Sequence, residues 1–140
     1  MIAITLESRI RELIDRTIAD NHRPNVVQFA SELLLLIPEA GVMRCWQIDS
    51  CKLGFQIGNQ PAWEIELGRA RTKLRMLCAR LGVICMERTG KDINIYGDEA
   101  LLETDIPHDQ QPQTECRTAK WHIRFKNNNA EPVGFVIETV

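Results

Sequence analysis

The sequence predicts an α+β fold, and three observations carry that expectation. Apolar residues recur at three- and four-residue steps over roughly the first forty positions, which is the period of a helix. From Met43 to Ile57, and again from Trp121 to Ile137, they alternate singly, which is the period of a strand. Between these blocks lies a run rich in arginine and lysine whose leucines fall on one helical arc. A chain of 140 residues is about one domain long, and its 44% hydrophobic content suffices for a core.

The first helix is expected over Leu6–Asp20, with Leu6, Ile10, Leu13, Ile14 and Ile18 on one face. Thr5 is its N-cap and Glu7 suits the positive helix start. Asn25 caps a second helix over Val26–Ile37, which Pro38 stops. Leu33 to Ile37 make this helix apolar nearly all round, so it is central to the core or shared with a second subunit. Cys51, Leu53, Phe55 and Ile57 mark a half-buried strand, and Trp46 and Ile48 allow a hairpin partner across Asp49-Ser50. Gly54 favours an edge or a bulge there. Pro61 opens a third helical region that reads as one helix to Leu81 or as two hinged at Gly68. Gly82 stops it, and Val83–Arg88 with Asp92–Tyr96 then read as a hairpin around Gly90. Asp98-Glu99 reads as the opening of a short helix. Residues 103–118 read as a linker or surface loop, and residues 119–140 as a second hairpin turning between Lys126 and Pro132.

Charge is distributed unevenly. Arg69, Arg71, Lys73, Arg75, Arg80, Arg88 and Lys91 face a single acid, Glu87, in that stretch. Of 17 basic and 19 acidic residues overall, this leaves ten basic and eighteen acidic elsewhere. A basic face on an otherwise acidic chain points to an anionic partner, and nucleic acid is the commonest.

The segment ARTKLRMLCARLGV (70–83) followed by ICMERTGKDINIYGD (84–98) resembles the recognition helix and wing of winged helix-turn-helix DNA-binding domains. The resemblance implies a winged-helix-like core over residues 1–102, with three helices and a β-hairpin wing, and the C-terminal hairpin added to it. It implies duplex DNA as partner and a role in transcription or on a mobile element. Arg69, Thr72, Lys73 and Met76 would then face the groove, with Arg71 and Arg75 beside them and Arg80 toward a phosphate. Arg88 and Lys91 would sit on the wing tip. The family usually joins its second and third helices by a short turn, whereas here about twenty strand-like residues intervene. A homodimer through the Leu33–Ile37 helix or the C-terminal hairpin would suit such a reader. The alternative is an adaptor or inhibitor that uses the same fold without touching DNA.

Other chemistry finds little support. There is no phosphate-cradling glycine loop, and neither Cys116 with His122 nor Asp98 with Glu99 has a catalytic spacing, so no enzyme and no cofactor are expected. Five cysteines without a Cys-x-x-Cys, and three distant histidines, make a poor metal set and read as buried free thiols. No long apolar span and no leader pattern are visible, which together with the cysteines points to the cytoplasm.

Overall fold

The computed structural model describes residues 5–106, 117–128 and 131–139. Three helices, α1 (Leu6–Thr17), α2 (Val26–Ala40) and α3 (Ala70–Thr89), accompany six strands. The strands are β1 (Val42–Asp49), β2 (Lys52–Ile57), β3 (Trp63–Glu66), β4 (Glu99–Ile106), β5 (Arg117–Asn128) and β6 (Glu131–Thr139). They form one antiparallel sheet in the order β3-β2-β1-β6-β5-β4. Two meanders, β1–β3 and β4–β6, are therefore joined side by side through β1 and β6. The α+β class stands.

The first two helices begin where their capping residues require. The Thr5 hydroxyl accepts the Ser8 N–H and the Asn25 side chain accepts the Gln28 N–H. The second helix runs past Pro38 to Ala40 and closes on Gly41, whose N–H reaches the Ile37 carbonyl at φ 79°. Proline removes one helical N–H, and so close to the end that loss is tolerated.

The third helix departs most from expectation. It begins at Ala70 rather than near Pro61, because Trp63 and Ile65 turn inward while Glu64 and Glu66 face solvent, the period of a strand. Trp63 stacks on Phe55 with ring centroids 4.7 Å apart, and the Arg11 guanidinium lies 4.4 Å over its ring. The helix then runs through Gly82 to Thr89, so residues 83–89 are helical and the expected wing hairpin is not formed. Geometry supplies the reason. The helix carries the chain from edge strand β3 to the opposite edge strand β4, about 24 Å across six strands. Twelve helical residues ending at Leu81 would span only about 18 Å, whereas twenty span about 30 Å. Gly82 lets the Ile95 side chain approach, since a Cβ there would lie 2.7 Å from Ile95 Cγ2. Gly90, left-handed at φ 71°, is the actual cap.

Other corrections follow the same logic. Glu99 opens strand β4, not a helix. Strand β2 lies between β1 and β3, so Gly54 is at neither an edge nor a bulge; it gives room to the Trp46 indole on the neighbouring strand. Residues 103–106 and 117–118 of the expected linker belong to strands, and 107–116, with Cys116, lie outside the described residues. The C-terminal hairpin forms as expected but occupies the middle of the sheet, with β6 paired to both β1 and β5.

The core lies between the sheet and the helices. Met43, Cys45, Leu53, Phe55, Trp121, Ile123, Phe135 and Ile137 point inward against Phe29, Leu33, Leu74, Leu77, Cys78 and Leu81, all essentially inaccessible. Among the described residues no helix packs on the other sheet face.

Candidate nucleic-acid interface

The basic residues predicted to meet DNA do not all share one surface. Arg69, Arg71, Thr72 and Arg75 are exposed along the first turns of α3, and Met76 is 41% exposed beside them. Arg80 is half-buried at the flank, and its Nε is buried without a hydrogen-bond partner among the described residues. Arg88 and Lys91 are exposed but sit at the far end of the helix, about 28 Å of helical rise from Arg69. The structure thus groups Arg69, Arg71, Thr72, Arg75 and Met76, and separates Arg88 and Lys91 from them.

Lys73 is the clear correction. It is 2% exposed, inside the fold rather than on a groove-facing surface. Its ammonium donates to the Ala19 carbonyl at 3.2 Å and to Asn21 Oδ1 at 2.8 Å. Burial pushes its pKa below the usual lysine value, nearby Asp20 opposes this, and Arg69 adds to it. The position lies at the edge of the helix's apolar arc, and that arc widens where α3 meets the loop between α1 and α2. Lys73→Met is accordingly expected to lower stability by ~1–2 kcal/mol, because two partly buried acceptors lose their donor. Urea denaturation checks this; a change within about 0.3 kcal/mol would show that the ammonium does not tie the loop to the helix.

That loop completes the site. The Asp20 carboxylate accepts the backbone N–H groups of His22 at 2.7 Å and Arg23 at 3.3 Å, bonds that hold its pKa below the usual carboxylate range. The Asn21 side chain lies against Gly68, where a Cβ would intrude. His22, Arg23 and the start of α3 are thereby held together. Asn21, His22, Pro24, Arg69, Thr72, Lys73 and Met76 line an open cleft of about 230 Å³.

The helix start itself is electrostatically unusual. The positive end of a helix dipole is normally met by an acidic or hydroxyl cap. Here the cap position is Arg69, held in the left-handed region at φ 57°, with no side-chain cap bond and no acid in the first turn. Sequence reading missed this, although the absence of Ser, Thr, Asp or Asn before Ala70 was visible. It also missed His22, which only the fold brings to the cleft beside Arg69.

Among the described residues no group of three or more His, Cys, Asp or Glu could hold a metal ion, and no helix is long and apolar enough to cross a membrane. Compared with known proteins, the chain matches no family model, no curated protein and no solved structure.

Proposed function

We propose that this protein binds duplex DNA through the first turns of α3 and the adjoining α1–α2 loop, with a backbone phosphate entering the cleft beside Arg69. The observation that carries this reading is the start of α3, which has Arg69 at its cap position, no side-chain cap and no acid in its first turn. Cations at that end are unfavourable to the helix alone, and a left-handed arginine adds roughly 1 kcal/mol of strain. Phosphate offsets the first of these by matching the dipole and neutralising the cations. It would meet helix N–H dipoles, the Arg69 guanidinium and the Thr72 hydroxyl, with His22 on the opposite wall. Arg71 and Arg75 extend the positive surface along the helix toward neighbouring phosphates.

This reading keeps the DNA partner expected from the sequence without a wing. A role in transcription or on a mobile element, and a location in the cytoplasm, belong to the same proposal. Contacts of this kind are mainly electrostatic, so binding is expected to be weakly sequence-dependent and strongly salt-dependent.

The experiment is a mobility-shift titration of a duplex at two salt concentrations, comparing the wild type with Arg69→Ala/Arg71→Ala/Arg75→Ala. The variant is expected to lose affinity by at least tenfold and to flatten the salt slope by about two to three units. Arg88→Ala/Lys91→Ala, at the distant end, should change binding less than threefold, about 0.6 kcal/mol. Equal losses from both variants, or no shift with the wild type at low salt, would defeat the reading.

A further inference from the structure

The sheet face opposite the described helices carries a second arrangement, independent of the cationic helix. Cross-strand register places one outward row directly across five strands. Glu64 on β3 pairs with Gly54 on β2, Gly54 with Trp46 on β1, Trp46 with Gly134 on β6, and Gly134 with Lys126 on β5. The row therefore reads acid, glycine, tryptophan, glycine, base, with Trp46 at its centre. At the usual strand spacing, Glu64 and Lys126 lie about 10 Å to either side of the indole.

Each part of the row has a physical consequence. The two glycines leave the indole in a shallow trough, where its ring lies over Gly54; a Cβ at either glycine would run into Trp46 or its strand. Ile48, 40% exposed, follows on the same strand and extends the apolar patch. Glu64 and Lys126 are both exposed, and neither makes an ion pair among the described residues. The β4–β6 part of this face behaves differently. There Glu99 and Glu138 flank His122 at 3.2 and 3.4 Å, Arg124 reaches Glu138 at 3.6 Å, and Lys120 reaches Glu103 at 3.1 Å. Charge is satisfied locally in that half and left open around Trp46.

We infer that this face binds a second copy of the same chain, sheet against sheet, about a twofold axis parallel to the strands and passing beside Trp46. That operation lays each indole on its copy, each Gly54 opposite a Gly134, and each Glu64 opposite a Lys126. Both ion pairs form by one symmetry step, as an isologous interface requires. A twofold along the row would instead bring Glu64 onto Glu64, so charge selects one orientation and rejects the other. Aligned sheets pack about 10 Å apart and within about 30° of each other, an offset that the long glutamate and lysine side chains span. The same axis sets Arg44, one outward position before Trp46 on that strand, opposite its own copy, a like-charge contact that the two Glu64–Lys126 pairs must outweigh. On α2, Leu33, Leu34 and Ile37 are buried within one chain, and the exposed apolar side chains Val27 and Leu35 lie eight residues apart. Both edges of β5 and β6 are also paired within the sheet. In this dimer the two α3 helices lie on opposite outer layers, so each cationic helix start remains open.

Sedimentation equilibrium of the full chain, at a series of micromolar concentrations, tests the arrangement. The wild type is expected to be a dimer, and Glu64→Lys and Lys126→Glu should each raise the dissociation constant at least tenfold. The double variant Glu64→Lys/Lys126→Glu, with the charges exchanged, should restore it to within threefold. Trp46→Ala should give a monomer, and because it could also loosen strand packing, the charge exchange between exposed positions is the deciding measurement. A monomeric wild type, a dimer indifferent to either single reversal, or a double variant no tighter than the singles would each overturn the inference.

Discussion

Alanine at position 134 is expected to destabilise the protein by ~3 kcal/mol, although it adds one methyl group and nominally improves strand propensity. Gly134 lies on β6 in the middle of the sheet, opposite Trp46. A Cβ there would be driven into the Cys45 carbonyl oxygen and would lie 3.1 Å from Trp46 Cα. These are backbone atoms of a paired strand, and moving them means parting β1 from β6, the one seam that joins the two meanders. Overpacking of a fixed site costs about 1–3 kcal/mol, and this site belongs at the upper end. At Gly54 the obstacle is the Trp46 ring, a side chain that can swing out, so Gly54→Ala should cost less than half as much. Urea midpoints of the two variants measure the difference. Equal costs would show that the β1–β6 seam yields as easily as an indole, contrary to the close backbone approach.

These glycines also show why part of the fold was legible and part was not. The helices α1 and α2 were readable because periodicity and capping agree: Thr5 and Asn25 start them, and a 3.6-residue stripe continues them. The β1–β2 and β5–β6 hairpins were readable for the same reason, with turn residues between alternating runs. Gly82 misled because a glycine after a leucine-rich helix has two physical meanings. It can supply a left-handed residue, or it can clear space for a neighbour, and Ile95 is thirteen residues away in sequence. The buried stripe Leu81, Ile84, Cys85 continues the helical period past it and was the better guide. Trp63-Glu64-Ile65-Glu66 likewise shows the strand alternation, overshadowed by a proline and acids that suit a helix start. No local signal could show that α3 must reach from edge to edge, because that length is set by the strand order.

The candidate site divides along the same line. Exposure of Arg69, Arg71, Thr72 and Arg75 follows from the helical arc and was readable; burial of Lys73 was not, because its partners Ala19 and Asn21 come from a loop more than fifty residues earlier. Charge counting treats every lysine as surface. Only packing distinguishes the one that ties two elements together from those that meet solvent.

Alkaline solution is expected to weaken the fold steeply, and the cause is three buried thiols. Burial pushes the Cys78 pKa up to about 12 and that of Cys85 up to about 11, from a usual value of 9.0. Cys45, wholly buried beside Cys78, lies higher than its usual value for the same reason. In the unfolded chain these thiols lose their protons near 9, whereas in the folded chain they keep them. Their stabilisation is therefore intact below pH 9 and is lost as pH rises toward 11 and 12. At about 1.4 kcal/mol per pH unit for each thiol, two units above 9 remove roughly 2–3 kcal/mol apiece. Lys73 acts in the opposite sense, since its pKa is lowered on folding and its contribution grows with pH, but one lysine opposes three thiols. Urea midpoints at about pH 7.5 and pH 10.5 should thus fall together with the thiols' ionisation. Cys78→Ala should be less stable at neutral pH, from the volume it vacates, yet lose less on going to alkaline pH. A wild-type midpoint that holds steady to pH 10.5 would mean that these sulfurs meet water in the native state, and that the helix α3 does not seal the sheet beneath it.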